Sequence, residues 1–426
     1  MAETTTVAVE AFGRPRIKPE HRAYRTVDGN VRIGSVIHGI GAEIADPQGW
    51  VWTLVEAMDG SRGPAEVVDE VLRTHPDLPR EDTHQAMSDL LAAGFVDDAQ
   101  AAVPLPTREE NRYSRGVPLL RWMDLAPRTS PWDAQLRLRE ARVLLVGVGG
   151  TGGHAAQSLV ASGVGHVHCV DPDEVELSNL NRQPLYREPD IGHPKVEAAV
   201  ASLRALNSDV TVTGERREVR GPEDLAELIA GRRGTADLAD APRVTPRTAS
   251  GAADSAKPVS GPGRPASAPP AAAPASTASS AYDLLVLSAD RPDDIRRWAN
   301  RVCLAADLAW VDAGYRGPLV TAGVYVPGQG ACWECLRAGE IARRDLRLGP
   351  GQDPDVASPR VPWNPASAVT AGLSGALLAH AALALLTGVP ALEPGFRFGV
   401  NLMLPGDPVH HRTPRLLDCP ACGDRA

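Results

Sequence analysis

Several things that would direct a reading are missing from this sequence. No run of basic residues occurs: 44 Lys and Arg are outnumbered by 53 Asp and Glu, a net charge of −9. Nucleic acid and anionic membrane surfaces are therefore not expected partners, because both are held by counter-charge. The opening MAETTTVAVEAFGRPR lacks a positively charged start followed by an apolar stretch. No secretory signal is read there, and a cytoplasmic protein is expected. Cysteine is scarce, with six in 426 residues: Cys169, Cys303, and the CxxC pairs Cys332/Cys335 and Cys419/Cys422. Without a signal, such pairs favour metal over disulfides. Residues 366–388 are uncharged and long enough to cross a bilayer, yet they contain His380 and have neither aromatic belt nor basic flank. A buried core helix is expected there, with a membrane span as the alternative.

What is present begins with a small mixed pattern. Residues 21–46 read as short strands, with Asp28-Gly29-Asn30 marking a tight hairpin turn. Helical spacing follows at 50–58, 63–76 (Pro64 suits a first turn) and 83–98, where Gly94 suits a C-cap. The hairpin, the WTLVEAMDGS stretch and the terminal LLAAGFV resemble the PqqD-like peptide-recognition domain, a small α+β winged-helix-like fold, over residues 1–100. That resemblance implies a leader peptide added as a strand to an exposed sheet edge. A DNA-binding winged helix and a plain structural cap are the alternatives; no Arg/Lys cluster marks a recognition helix.

Residues 101–140 connect this unit to a second, 141–426, which alternates strand and helix, the signature of a parallel, helix-covered sheet. Residues 233–281 interrupt it with Pro, Ala, Ser, Thr and Gly and few bulky aliphatics. Such a stretch buries too little apolar surface to offset its ordering entropy, so it is read as a disordered insertion within one domain.

The second unit opens with a strand running into Gly147-Val148-Gly149-Gly150-Thr151-Gly152-Gly153 and then a helix. Glycines let backbone approach a phosphate, whose charge meets helix N-terminal amides. Asp171 ends the next strand, where a carboxylate suits two ribose hydroxyls. To this point a nicotinamide enzyme and an ATP enzyme fit equally. The loop NLNRQPLYREPDIGHPK decides between them: Asn179, Arg182 and Lys195 bring an amide and two cations to the carboxyl edge of the sheet. That suits a triphosphate and has no use in hydride transfer. Asp290, after strand 282–289, could hold Mg²⁺ at the same edge. Each alone would read as a surface ion pair.

Together, the run from RVLLVGVGGTGG through NLNRQPLYREPDIGHPK resembles the ThiF/MoeB family, which includes the ubiquitin-activating enzymes. The resemblance implies a Rossmann-like, mostly parallel sheet with helices on both faces and a structural zinc site. It also implies that the carboxyl terminus of a peptide or small protein attacks the α-phosphate of ATP. Asp171 would hold the ribose, Asp173 and Asn179 line the adenylate pocket, Arg182 and Lys195 bind phosphates, and Asp290 position Mg²⁺. In RYSR (112–115), Arg115 would reach a neighbouring subunit's site in a homodimer, a plain linker arginine being the alternative. Cys332, Cys335, Cys419 and Cys422 would supply four thiolates to one Zn²⁺.

Residues 336–418 contain no cysteine, where sulfur-transferring relatives place a nucleophile. Adenylation without an enzyme-bound thioester is therefore expected, with Cys169 and Cys303 as inert packing. The peptide-recognition unit points to ribosomal peptide modification, as in microcin-type adenylation. Activation of a ubiquitin-like sulfur carrier, or a non-catalytic leader-binding scaffold for a cyclodehydratase, are the alternatives.

Overall fold

The computed structural model describes residues 9–34, 40–128, 130–231, 280–343, 347–352 and 364–423. The insertion expected at 233–281 lies outside the described residues as far as residue 279. The chain divides into two compact units, 1–137 with 387–391, and 138–386 with 392–426.

The first unit holds β1 (Pro15–Ile17), β2 (Tyr24–Arg25), β3 (Val31–Ile33), β4 (Ala42–Ile44), α1 (Trp50–Ala57), α2 (Pro64–Thr74), α3 (Arg80–Ala92) and β5 (Val96–Asp98). The expected hairpin joins β2 to β3, with the Thr26 N–H donating to the Asn30 carbonyl at 2.9 Å. Strand alternation buries Val31 and Ile33 and exposes Arg32 between them. Their core partners Leu54, Val67, Val71 and Met87 come from the three helices. α2 starts at Pro64, and Glu66 accepts the Gly63 N–H at 2.8 Å. A pairing the sequence did not announce joins β1 antiparallel to β5.

Beyond β5 the connecting segment is helical: α4 (Thr107–Tyr113), α5 (Gly116–Met123) and α6 (Asp133–Glu140), the last running into the second unit. Charged groups tie it to the β1 region. Buried Lys18 donates through Nζ to the Asp124 carbonyl at 2.8 Å, and Arg121 pairs with Glu20 at 3.1 Å and with Asp97.

The second unit continues through β6 (Arg142–Val146), α7 (Gly150–Ala161), β7 (His166–Val170), α8 (Lys195–Leu206), β8 (Thr211–Glu215), α9 (Pro222–Ala230), β9 (Leu284–Leu287) and α10 (Ile295–Ala306). It closes with β10 (Trp310–Arg316), β11 (Leu319–Tyr325), α11 (Trp333–Arg343), α12 (Ala368–Thr387), β12 (Phe396–Asn401) and β13 (Pro408–Arg412). These strands form one sheet in the order β13-β12-β11-β10-β9-β6-β7-β8. From β8 to β10 every pairing is parallel, and β10 to β13 pair antiparallel. The mostly parallel α/β sheet expected from the sequence is thus present, with an antiparallel extension that was not. Strands buried on both faces need apolar side chains throughout, and LLVL of β9 is wholly buried. Each such Leu contributes roughly 1.5–3 kcal/mol by leaving water.

Helices α9, α10 and α11 share a core cluster with one face of the sheet, including Leu144, Val146, Leu285 and Leu287. α7 and α8 pack on each other and on β6–β8, and α12 lies against α7, where Thr151 Oγ1 donates to Ser374 Oγ at 3.1 Å. α12 is the one helix among the described residues long and apolar enough to cross a bilayer; 61% of its most apolar window is buried. His380 itself is exposed, its ring meeting Phe398 edge-on at 6.4 Å.

Strand register sets out one row across this sheet: Val170, Val146, Leu287, Asp312, Gly323, Arg397 and His411. Gly323 is required there, because a Cβ would lie 2.2 Å from the Tyr325 hydroxyl and 2.5 Å from Asp312 Oδ1.

Candidate functional site

The chain leaves β6 for β7 and β8 on one side, then returns to β9 on the other. Such a reversal opens a crevice at the carboxyl ends of the strands. The glycine turn sits there. Gly147 has φ +93°, and a Cβ would lie 2.8 Å from the Ala289 nitrogen and Ser288 Oγ, so only glycine fits. A Cβ on Gly152 would lie 2.0 Å from the Gly147 carbonyl oxygen, which lets α7 begin directly on the turn. Two hydroxyls hold the turn from outside: Ser288 donates to the Gly147 carbonyl and Tyr186 to the Val148 carbonyl, both at 2.7 Å. The first amides of α7, unpaired within the helix, start at this crevice.

Charged residues converge on the same edge. Asp171, one residue past β7, is 5% exposed and accepts the Val148 N–H at 2.8 Å and the Asp173 N–H at 3.0 Å. Burial pushes its carboxyl up, and Lys195 pulls it back. Lys195 opens α8 and reaches Asp173 at 2.8 Å. Buried Asn179 accepts the Glu176 N–H at 3.0 Å, closing the short turn 177–179, and Arg182 donates to the Ser178 carbonyl at 2.8 Å. Asp290 is exposed three residues past β9. With Gly147, Gly149, Gly150 and Gly152, all these residues line one cleft of about 1570 Å³. Single-ligand pockets run about 300–1,000 Å³, so the cleft has room for a second reactant.

Arg115 belongs to the first unit, exposed immediately before α5. Sequence reasoning missed Tyr315, near the end of β10. Burial pushes its hydroxyl up, the Arg182 cation pulls it down and Asp290 pushes it up; Tyr315 lines the same cleft as both. Its signal was positional only: β10 extends the parallel set, so its carboxyl end faces the same crevice. Also missed was an ionic knot on the row. Asp312, fully buried, takes Arg296 Nε at 2.8 Å, Arg397 Nη2 at 3.0 Å and the Tyr325 hydroxyl at 3.1 Å. Burial pulls the Asp312 carboxyl up, but Arg397 and Arg296 outweigh it and hold it below the usual range.

The two CxxC pairs meet. Sγ–Sγ separations are 3.8 Å for Cys332–Cys335, 3.6 Å for Cys332–Cys419 and 3.6 Å for Cys335–Cys422, and all four sulfurs lie within 4.8 Å of one another. A tetrahedral zinc with Zn–S of about 2.3 Å needs sulfurs about 3.8 Å apart, so the cluster fits zinc. The Leu416 N–H points at Cys335 Sγ at 3.5 Å and Asn300 Nδ2 at Cys332 Sγ at 3.6 Å, as donors do towards thiolates. Cys169 and Cys303 are buried elsewhere; burial pushes the Cys169 thiol up to about 12 and the Cys303 thiol above its ordinary value. Neither is poised as a nucleophile.

Comparison with known proteins agrees with this geometry. The SAMP-activating enzyme E1 of Haloferax volcanii is 38% identical over 136 residues, 32% of this chain and 47% of that protein. The molybdopterin-synthase adenylyltransferase of Escherichia coli is 40% identical over 126 residues, 30% of this chain and 47% of that protein. The chain thus spans about half the length of these curated relatives. A crystal structure of E. coli MccB with MccA-N7isoASN has the same fold, with a TM-score of 0.65 at 20% identity over 96% of this chain and 99% of that one. Residues 123–260, which hold the glycine turn, Asp171 and the Asn–Arg–Lys loop, match the ThiF family, and the chain carries a ThiF-family domain.

Proposed function

We propose that the protein is an ATP-dependent adenylyltransferase that activates the C-terminal carboxylate of a peptide or small protein as an acyl-adenylate. One observation carries this reading: the glycine turn, Asp171, Arg182, Lys195 and Asp290 face a single cleft at the reversal point of the sheet. The attacking carboxylate is already ionised near neutrality, so no side-chain base is required. Its oxygen bonds to the α-phosphorus while the bond to the β-phosphate oxygen breaks, and pyrophosphate leaves with the electron pair. Like charges oppose this approach. Arg182 and Lys195 offset the repulsion and stabilise charge growing on the leaving group. Lys195, now bound to Asp173, would share its ammonium with a phosphate oxygen. Asp171 and Asn179 orient the nucleoside, and Asp290 is the carboxylate that would hold Mg²⁺, which supplies further charge neutralisation when bound. Four thiolates would hold zinc away from the reacting atoms. In a homodimer, Arg115 of a second copy would complete the phosphate site.

The small unit ahead of this domain favours a ribosomal peptide as substrate, recruited through its sheet edge. Similarity to the sulfur carrier protein ThiS adenylyltransferase of Bacillus subtilis, 45% identical over 110 residues (25% of this chain and 32% of that protein), supports a second reading, activation of a sulfur-carrier protein. Mg²⁺-dependent ATP–pyrophosphate exchange against peptides with free C-termini and against a Gly-Gly carrier separates the two. Arg182→Ala is expected to lower exchange about 100-fold or more. A protein that binds NAD in preference to ATP, or whose pathway output survives Arg182→Ala, defeats the catalytic reading.

A further inference from the structure

A glycine turn that faces a phosphate carries a hazard of its own. Each peptide group offers an N–H that attracts an anion and a carbonyl that repels it, and in a trans peptide the two point opposite ways. Glycine tolerates either orientation of the plane, so composition alone does not decide which end the crevice meets.

The four carbonyls from Val146 to Gly149 are all engaged. Val146 accepts the Ser288 and Ala289 N–H groups at 2.9 and 3.1 Å, and Gly149 accepts the Gly153 N–H at 2.8 Å. Between them, Gly147 accepts the Ser288 hydroxyl and Val148 the Tyr186 hydroxyl, both at 2.7 Å. The peptide joining Gly147 to Val148 is clamped at both ends, since Asp171 Oδ2 takes its N–H at 2.8 Å. The next peptide, Val148 to Gly149, is held at its carbonyl alone: the Gly149 N–H has no acceptor among the described residues. Tyr186 is 3% exposed and is not part of the cleft lining, whereas Gly149 is. A carbonyl drawn inward to Tyr186 therefore turns the Gly149 amide outward to the cleft, beside the first amides of α7. Burial, with Asp171 adding to it, pushes the Tyr186 hydroxyl well up, so it keeps its proton and remains a donor.

The geometry points to Tyr186, seconded by Ser288, as a positioning residue that locks these peptide planes so that a nucleotide phosphate meets N–H groups and no carbonyl oxygen; the inference rests on the nucleotide reading of the cleft. Tyr186 touches no ligand itself and acts through the Gly149 amide. It lies 38 positions beyond Val148, so no local spacing announces the link.

The test uses the full chain with Mg²⁺. ATP, AMP and adenosine each compete against a fluorescent ATP analogue, which gives an affinity for each. Tyr186→Phe keeps the ring and removes only the hydroxyl. It should weaken ATP and AMP about tenfold or more, the scale of a lost hydrogen bond to a charged group, and leave adenosine unchanged. The preference for AMP over adenosine then falls, whereas loss of packing alone would weaken all three alike. Ser288→Ala should lower that preference by less, because Asp171 still holds the other end of its peptide. Should Tyr186→Phe fail to melt cooperatively, Ser288→Ala decides, and an unchanged preference there overturns the inference. So does an unchanged preference in folded Tyr186→Phe, an equal loss for AMP and adenosine, or a wild type that binds AMP no tighter than adenosine. The expected fall, in a protein without pyrophosphate exchange for any peptide, would count against the adenylylation reading alone.

Discussion

Asp312 shows how far a single residue can escape a sequence reading. It sits inside WVDAGYR, an ordinary strand sequence, yet it is fully buried between Arg296 and Arg397. Its partners lie 16 and 85 positions away, so no local spacing reveals the knot. Breaking it should be costly: Asp312→Asn is expected to destabilise by about 3–5 kcal/mol, because two arginines lose their counter-charge. The pH dependence has a definite sign. The folded carboxyl lies below its ordinary value, so its stabilisation is complete above about pH 4 and is lost as pH falls through the folded value. Urea midpoints of wild type and Asp312→Asn should differ by a constant amount from neutrality to about pH 4 and converge in stronger acid. Gly147, Asp171, Arg182 and Lys195 could be singled out by contrast, since they fall in one continuous run from the end of β6 through α7 and β7 to the start of α8, and the fold brings them to one cleft.

Elements were legible where period and punctuation agreed. Pro64 opens α2, the 28–30 turn joins β2 to β3, and apolar runs mark β6, β7 and β9. The antiparallel extension was not, because β12 and β13 are only partly buried and β13 alternates exposed with half-buried residues. A strand of three residues, such as β1, shows no period at all. The glycine turn leaves no room for a single methyl. Gly152→Ala would drive Cβ into the Gly147 carbonyl oxygen at 2.0 Å, displacing the start of α7. ATP affinity should fall at least tenfold, measured by calorimetry, while far-UV circular dichroism stays near wild type; unchanged affinity would show that the α7 terminus does not hold the nucleotide.

At the scale of the molecule, the proposals turn on assembly and metal. If Arg115 serves a second copy, Arg115→Ala and Lys195→Ala should each be inactive in exchange, and an equal mixture should regain about a quarter of wild-type activity through mixed dimers. No regain after unfolding and joint refolding would place Arg115 in its own subunit's site or in none. Zinc should be present at one ion per chain by elemental analysis. Cys335→Ser should lower both zinc content and melting temperature, because the cluster ties the tail around Cys419 and Cys422 to the start of α11. A change of pattern marked two regions in the sequence, whereas α4 and α5, read there as a connecting segment, fall within the first compact unit.

The row from Val146 to His411 has one more consequence. Backbone hydrogen bonds lock its intervals, and no loop within it can lengthen or slacken. The sheet is therefore a fixed frame: the interval from the strand that leads into the glycine turn to the Asp312 knot on β10 is set by backbone pairing and not by the lengths of the surrounding loops.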